Sequence, residues 1–444
     1  MKKLIVLILV ISLGELSAQH DHHQHQDTTK KSAEPEMKHE HHNMSNMSHA
    51  FSLNLPMNRN GSGTGWLPDS TPMYGYMIHG KKWMYMIHGN IFARYNNQDI
   101  FNSGSRGDDK FDAVNWFMGM GQRRIGKRGL FRFSAMVSLD NVFGGNGYPL
   151  LFQTGESWKG QPLVDRQHPH DLFSELSVEY THMINKNVDV FVYAGYPGEP
   201  ALGSVAFMHR VSSLYGPDAP LSHHWNDGTH VTFGVVTGGV RLGKFKIDAS
   251  SFTGREPDED RLNFDTPRFD SYSGRVSFNP NPYWSFQVSQ GFIKSPESTR
   301  TNEDVNRTTA SAVYSRPLKK NNFINVTALW GLNKSHAAEH AALLEAAFVK
   351  NRFSIYGRYE MVQKSVHELA LDEKTYGHDE IFNVNALTVG VGYDVIKSKA
   401  MRVAIGVQGT YYLPDERLVF IYGNNLASGQ IFIRLYPPRM NTSK

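Results

Sequence analysis

Cysteine is absent from the 444-residue chain, which excludes a disulfide framework, a thiolate metal site and a thiol nucleophile. Long apolar runs are missing as well. Residues 4–13 form an oily stretch, but a membrane-spanning helix needs about 20 such residues, and no later run of that length exists. The chain also lacks a basic block. Its net charge is +4, a mild excess that argues against nucleic acid as a partner.

What is there begins with an address. Met1-Lys2-Lys3, the oily residues 4–13 and Leu16-Ser17-Ala18 follow the order of a secretory signal peptide, expected over residues 1–18. Leu16 stands where a small residue is usual, so the cleavage point is not fixed.

Residues 19–50 hold eight of the 21 histidines and have no aromatic residue. Such a segment cannot bury a core and is expected to be a disordered periplasmic tail. Its candidate ligands are His20, His22, His23, His25, His39, His41, His42 and His49, with Met37, Met44 and Met47. Imidazole suits copper, zinc and nickel, and thioether selects Cu(I). Copper, or zinc or nickel, is therefore the expected ion at the tail; the alternative is a soluble histidine-rich spacer. No tightly bound cofactor is expected. Residues 51–82 have loop composition with apolar anchors and read as a linker or a plug segment.

From residue 83 to 437 the periodicity becomes two. Around Leu242-Gly243-Lys244, Phe245, Ile247 and Ala249 oppose Lys246, Asp248 and Ser250, while Val231, Phe233 and Val235 form the oily face of the preceding strand. About sixteen such segments are predicted, at 83–96, 111–123, 129–140, 171–183, 188–195, 229–242, 245–254, 270–279, 283–293, 307–316, 322–332, 341–350, 353–363, 382–394, 401–412 and 430–437. The stretch 340–350 reads equally well as helix, because AALLEAAF is rich in helix formers.

Links after even-numbered segments are short and polar, and those after odd-numbered ones are mostly long. This rhythm is that of an antiparallel transmembrane β-barrel with short periplasmic turns and long extracellular loops. Closure removes the sheet edge and pairs every backbone group in lipid. The expected location is thus the outer membrane of a Gram-negative bacterium, with lipid as a partner, both chain ends periplasmic, and residues 438–444 as a C-terminal tail. Aromatics near segment ends, Trp116, Tyr412 and Tyr436 among them, read as interfacial girdles.

Two long links carry the densest chemistry. One contributes Arg166, His168, His170 and Asp171; the other contributes Glu199, His209, Arg210, His223, His224, Asp227 and His230. They are expected to fold inward as a polar or metal-contacting constriction, and ordinary hydrogen-bonded loops are the alternative. A barrel-mouth hydrolase using Ser222 with His223, or Asp227 with His230, is a further alternative. No G-x-S-x-G or H-E-x-x-H motif supports it, and the expectation is that the protein is not an enzyme.

The segments Glu199-Pro200-Ala201-Leu202-Gly203, Ala206-Phe207-Met208-His209-Arg210, Ala219-Pro220-Leu221-Ser222-His223-His224-Trp225 and Thr229-His230-Val231-Thr232-Phe233-Gly234 resemble a largely uncharacterised family of bacterial outer-membrane barrel proteins. Gly254-Arg255-Glu256-Pro257-Asp258 and Arg307-Thr308-Thr309-Ala310-Ser311 extend the resemblance over most of the chain after the tail. Members are associated with copper and heavy-metal resistance systems. The resemblance implies a role in passage or sequestration of metal ions, with periplasmic metal-handling proteins as partners, and supplies no ligand set. A general diffusion porin with an incidental tail is the alternative.

Overall fold

The computed structural model describes residues 52–143, 145–227, 231–319 and 322–440, which fall within one compact unit. The signal-peptide reading, the His/Met tail with all of its candidate ligands, His230 and residues 441–444 lie outside the described residues.

Alternation of lipid-compatible and polar side chains produces sixteen barrel strands. They are β1 (Met84–Gln98), β2 (Asp108–Ile125), β3 (Gly129–Val137), β4 (Phe173–Asn185), β5 (Val188–Gly195), β6 (Val235–Leu242), β7 (Phe245–Phe252) and β8 (Ser271–Phe278) in the first half. The second half holds β9 (Trp284–Ile293), β10 (Val305–Pro317), β11 (Phe323–Lys334), β12 (Ala338–Lys350), β13 (Phe353–Ser365), β14 (Ile381–Lys397), β15 (Arg402–Pro414) and β16 (Ala427–Tyr436). Each pairs antiparallel with its neighbours in sequence. The sheet closes where β16 meets β1, from Ser428 opposite Gln98 to Leu435 opposite Ile91. A further short strand, Tyr76–His79, pairs with the edge of β1 that β16 does not reach.

The exposed face of the wall is apolar, with Ile247, Leu344, Ile355, Leu387, Val407 and Ile431 among its residues, while the facing-in positions of the same strands are buried. A continuous apolar outer surface on a closed sheet is stable only in lipid, so the barrel is an outer-membrane protein. None of the described helices is long and apolar enough to cross a membrane.

The segment 340–350 is strand, paired on both sides with β11 and β13; wall pairing overrides its helix propensity. The strand expected at 229–242 begins instead at Val235. Gly234, at φ +104°, resets the alternation, so Val236 faces lipid while Val231, Phe233 and Val235 are buried inside. Trp116, Tyr412 and Tyr436 also turn inward and are buried, and do not belong to an interfacial girdle.

The lumen is filled. Residues 138–172 include an inner hairpin, Tyr148–Trp158 with Gln161–Gln167, whose Pro149 carbonyl accepts from Asn96 Nδ2 at 2.7 Å. Residues 196–227 cross from wall to wall. Ala201 N–H donates to Ser250 Oγ on β7 (2.7 Å), Arg210 Nε to Glu345 on β12 (2.8 Å), and Ser222 Oγ to Glu360 on β13 (2.9 Å). On the way, Asp218 accepts from Arg94 on β1, Gln408 on β15 and Gln430 on β16. Residues 52–72 line another sector, where Thr64 Oγ1 donates to Asp248 (2.8 Å) and Asn279 Nδ2 to the Leu67 carbonyl (2.9 Å). The physical reason is shared. A wall whose inner face carries Arg94, Lys246, Asp248, Arg275, Glu345 and Glu360 requires partners once water is excluded, and these segments supply them.

Candidate metal centre

The two histidine-bearing links meet in the external half of the lumen. His168 and His170 follow the inner hairpin directly, and His223 and His224 open a short helix, α1 (His223–Asn226). That helix lies against the wall at Gly331 of β11, where any side chain would strike the Trp225 backbone. Trp225 Nε1 donates to the Glu339 carbonyl at 3.1 Å, and Lys364 stands 4.3 Å over the indole. These contacts fix the helix and the direction of its histidines.

His168, His223 and His224 each present a ring nitrogen within 4.8 Å of the others. Ring centroids are 4.1 Å apart for His223 and His224, 5.4 Å for His168 and His224, and 5.4 Å for His168 and His170. Nitrogens around a tetrahedral ion stand about 3.3 Å apart, from metal–nitrogen bonds near 2 Å. His168 and His223 are almost fully buried.

Outer contacts surround the ring nitrogens. His223 Nδ1 lies 2.9 Å from the Pro220 carbonyl, His168 Nδ1 3.1 Å from Glu156, His170 Nδ1 2.9 Å from Asp140, and His224 Nδ1 3.5 Å from Glu256. Each Nδ1 has an oxygen within reach, and that of His223 also meets Gln153 Nε2 at 3.1 Å; a ring that donates from Nδ1 carries its lone pair on Nε2, the arrangement of metal-ligating imidazoles. Burial, with Lys364 and Arg307 nearby, lowers His224 to about 3, so it stays neutral. For His170 burial opposes protonation, but the hydrogen bond and charge of Asp140 outweigh it and raise the pKa. Burial likewise raises Glu156, Glu256 and Asp171 to about 7 against the pull of Arg261, joined for Glu256 by Arg307.

The remaining singled-out residues lie elsewhere. Arg166 is partly buried and pairs with the half-exposed Asp108. Glu199 is buried beside Tyr193, Ser62 and Gly63 of the N-terminal segment. Arg210 and Asp227 form a buried ion pair that also engages Glu345. His209 packs near Trp116 and His88 in a separate cavity, where burial lowers it to about 4. Asp171 joins the histidines indirectly, through Arg261 and Glu156. Ser222 is held by Glu360 and Asp227 by Arg210, so both hydrolase candidates are engaged in structural contacts.

Sequence reasoning missed Glu156, Glu256 and Arg261, which are ordinary loop residues until the fold gathers them.

Salmonella typhi OmpF, in complex with daunomycin, aligns over 81% of this chain and 100% of its own at 9% identity, with a TM-score of 0.50. The chain has a porin-like barrel fold. A loop L8 deletion mutant of OmpT from Vibrio cholerae (10% identity, 80% and 100% covered, TM-score 0.45) and an anion-selective porin from Comamonas acidovorans (11%, 80% and 100%, 0.44) are more distant. At these identities the likeness speaks to the fold alone. No protein-family model and no curated protein matches the chain.

Proposed function

We propose that this outer-membrane barrel handles transition-metal ions, copper foremost, by passage or sequestration, with His168, His223 and His224 as the ion-holding centre of the external lumen. The observation that carries this reading is three imidazoles from two separate links, two buried and His224 partly so, with ring nitrogens within 4.8 Å of one another and Glu156 and Glu256 beside them. Three nitrogen ligands with a nearby carboxylate suit a borderline divalent ion such as Zn(II), Cu(II) or Ni(II). In this reading the N-terminal tail collects ions at the periplasmic mouth, and periplasmic metal-handling proteins exchange them with it.

A general diffusion porin accounts less well for the filled lumen, since buried Gln408, Arg94 and Glu345 are tied to the crossing segment. Titration of full-length protein with Zn(II) and Cu(II) separates the two. The His168→Ala/His223→Ala protein is expected to lose one equivalent relative to wild type, with the tail's contribution common to both. Equal stoichiometry in the two proteins would sink the centre.

A further inference from the structure

A second group of ligand-type side chains lies toward the periplasmic rim. Inward positions of β1 run Met84, Met86 and His88, and on β2 Met120 and Met118 stand opposite Met86 and His88. Other inward positions of this wall carry Arg132, Thr327, Glu345 and Gln408. Thioethers here interrupt a polar lumen.

Met208 and His209 of the crossing segment close over these side chains, leaving a cavity of about 90 Å³. Met57 and Met73 of the N-terminal segment complete it. His88 and His209 rings lie 5.8 Å apart, and each is near Trp116, at 5.2 and 5.0 Å. Nε2 of His88 is buried without a hydrogen-bond partner among the described residues. Methionine alone would be a flexible gap filler, but gap filling gives no reason to bury an imidazole nitrogen unsatisfied, which is costly. The described residues lining the cavity include no carboxylate and one cation, Arg434, whose Nε donates to Asn90 at 2.9 Å and whose guanidinium lies 3.8 Å over the Tyr436 ring.

We propose that this cavity is a binding site for a soft monovalent ion, Cu(I), held by thioether sulfurs of Met86, Met118, Met120 and Met208 with imidazole nitrogen from His88 and His209. Neutral sulfur and nitrogen donors favour Cu(I) and give little hold on hard divalent ions. A smaller cavity, lined by His170 at one side and by Trp116 and Met208 at another, lies between this site and the histidine centre. The biological role rests on the metal-handling reading above; the binding chemistry rests on different residues.

The test is anaerobic Cu(I) titration of the full-length protein against a competing chelator, with copper-edge X-ray absorption. Met86→Leu/Met120→Leu/Met208→Leu conserves volume, and the tail thioethers are common to both proteins. Loss of one Cu(I) equivalent together with part of the sulfur scattering is the expected result. Unchanged stoichiometry would overturn the site. Should the triple variant fail to fold, Met208→Leu alone, on the crossing segment, is expected to weaken the tightest Cu(I) equivalent at least tenfold, and an unchanged affinity would count equally against it. The His168→Ala/His223→Ala protein is expected to keep this equivalent; losing it there would reassign Cu(I) to the histidine centre.

Discussion

At the scale of single residues, two contacts hold the histidine centre in place. Gly331 admits α1 to the wall because any Cβ there would meet the Trp225 carbonyl. Gly331→Leu is therefore expected to push the helix off β11 and to abolish the divalent equivalent while the barrel still assembles; unchanged titration would show that α1 tolerates displacement. Arg210 is fully buried between Asp227 and Glu345. Removing one partner of a buried ion cluster costs about 3–5 kcal/mol, so Arg210→Met is expected to loosen residues 196–227, read as faster proteolysis within that segment. Adding Glu345→Gln is expected to recover part of the loss. Neither role is legible in the sequence, where Gly331 is one of many strand glycines and Arg210 a loop cation. The histidines were visible as residues but not as a site: HPH and HH carry no metal spacing, and their meeting depends on a fold that joins positions 168 and 223. The methionine cavity left a fainter trace, the two-residue spacing of Met84, Met86 and His88 on one strand and of Met118 and Met120 on the next.

At the scale of elements, the strands were legible because a wall between lipid and a polar lumen enforces period two, and tight links mark every second turn. The inner hairpin was not. Tyr148–Trp158 is buried on both faces, so its sequence has no alternation to read. This hairpin and its neighbours carry a pH dependence. Burial raises Glu156, Glu256 and Asp171 to about 7, so the folded state binds protons there that the unfolded chain has already released above about 4. Their contribution to stability is complete below that value and is lost as pH rises through 7. His170, also raised, loses its contribution in the same direction. The lowered His224 and His209 act oppositely, but only below about 6.5, where unfolded histidine protonates. The melting temperature of detergent-solubilised protein is thus expected to fall between pH 6.5 and 8. Zn(II) is expected to raise it more at pH 8 than at pH 6.5, because Glu156 and Glu256 are then ionised beside the histidines. A melting temperature that rises over this interval would contradict the assignment of these carboxyls.

At the scale of the whole molecule, a porin-like wall surrounds a lumen that is packed and not open. The wall alone would conduct: its inward face is polar and its circumference is that of a sixteen-strand barrel. What opposes conduction is the crossing segment, tied to β1, β7, β12, β13, β15 and β16, with residues 52–72 packed against another sector. These ties are hydrogen bonds and ion pairs to inward-facing side chains, and none involves the lipid-facing surface. In a planar bilayer the full-length protein is expected to show little steady conductance, and Arg210→Met to show channel steps, since it removes a central tie while leaving every wall strand intact. Micromolar copper, bound where the two links meet, is expected to suppress those steps by cross-linking His168 to His223. A steady, copper-indifferent pore in the unmodified protein would mean that the packed segments yield without a trigger, and would return the barrel to the class of general diffusion porins.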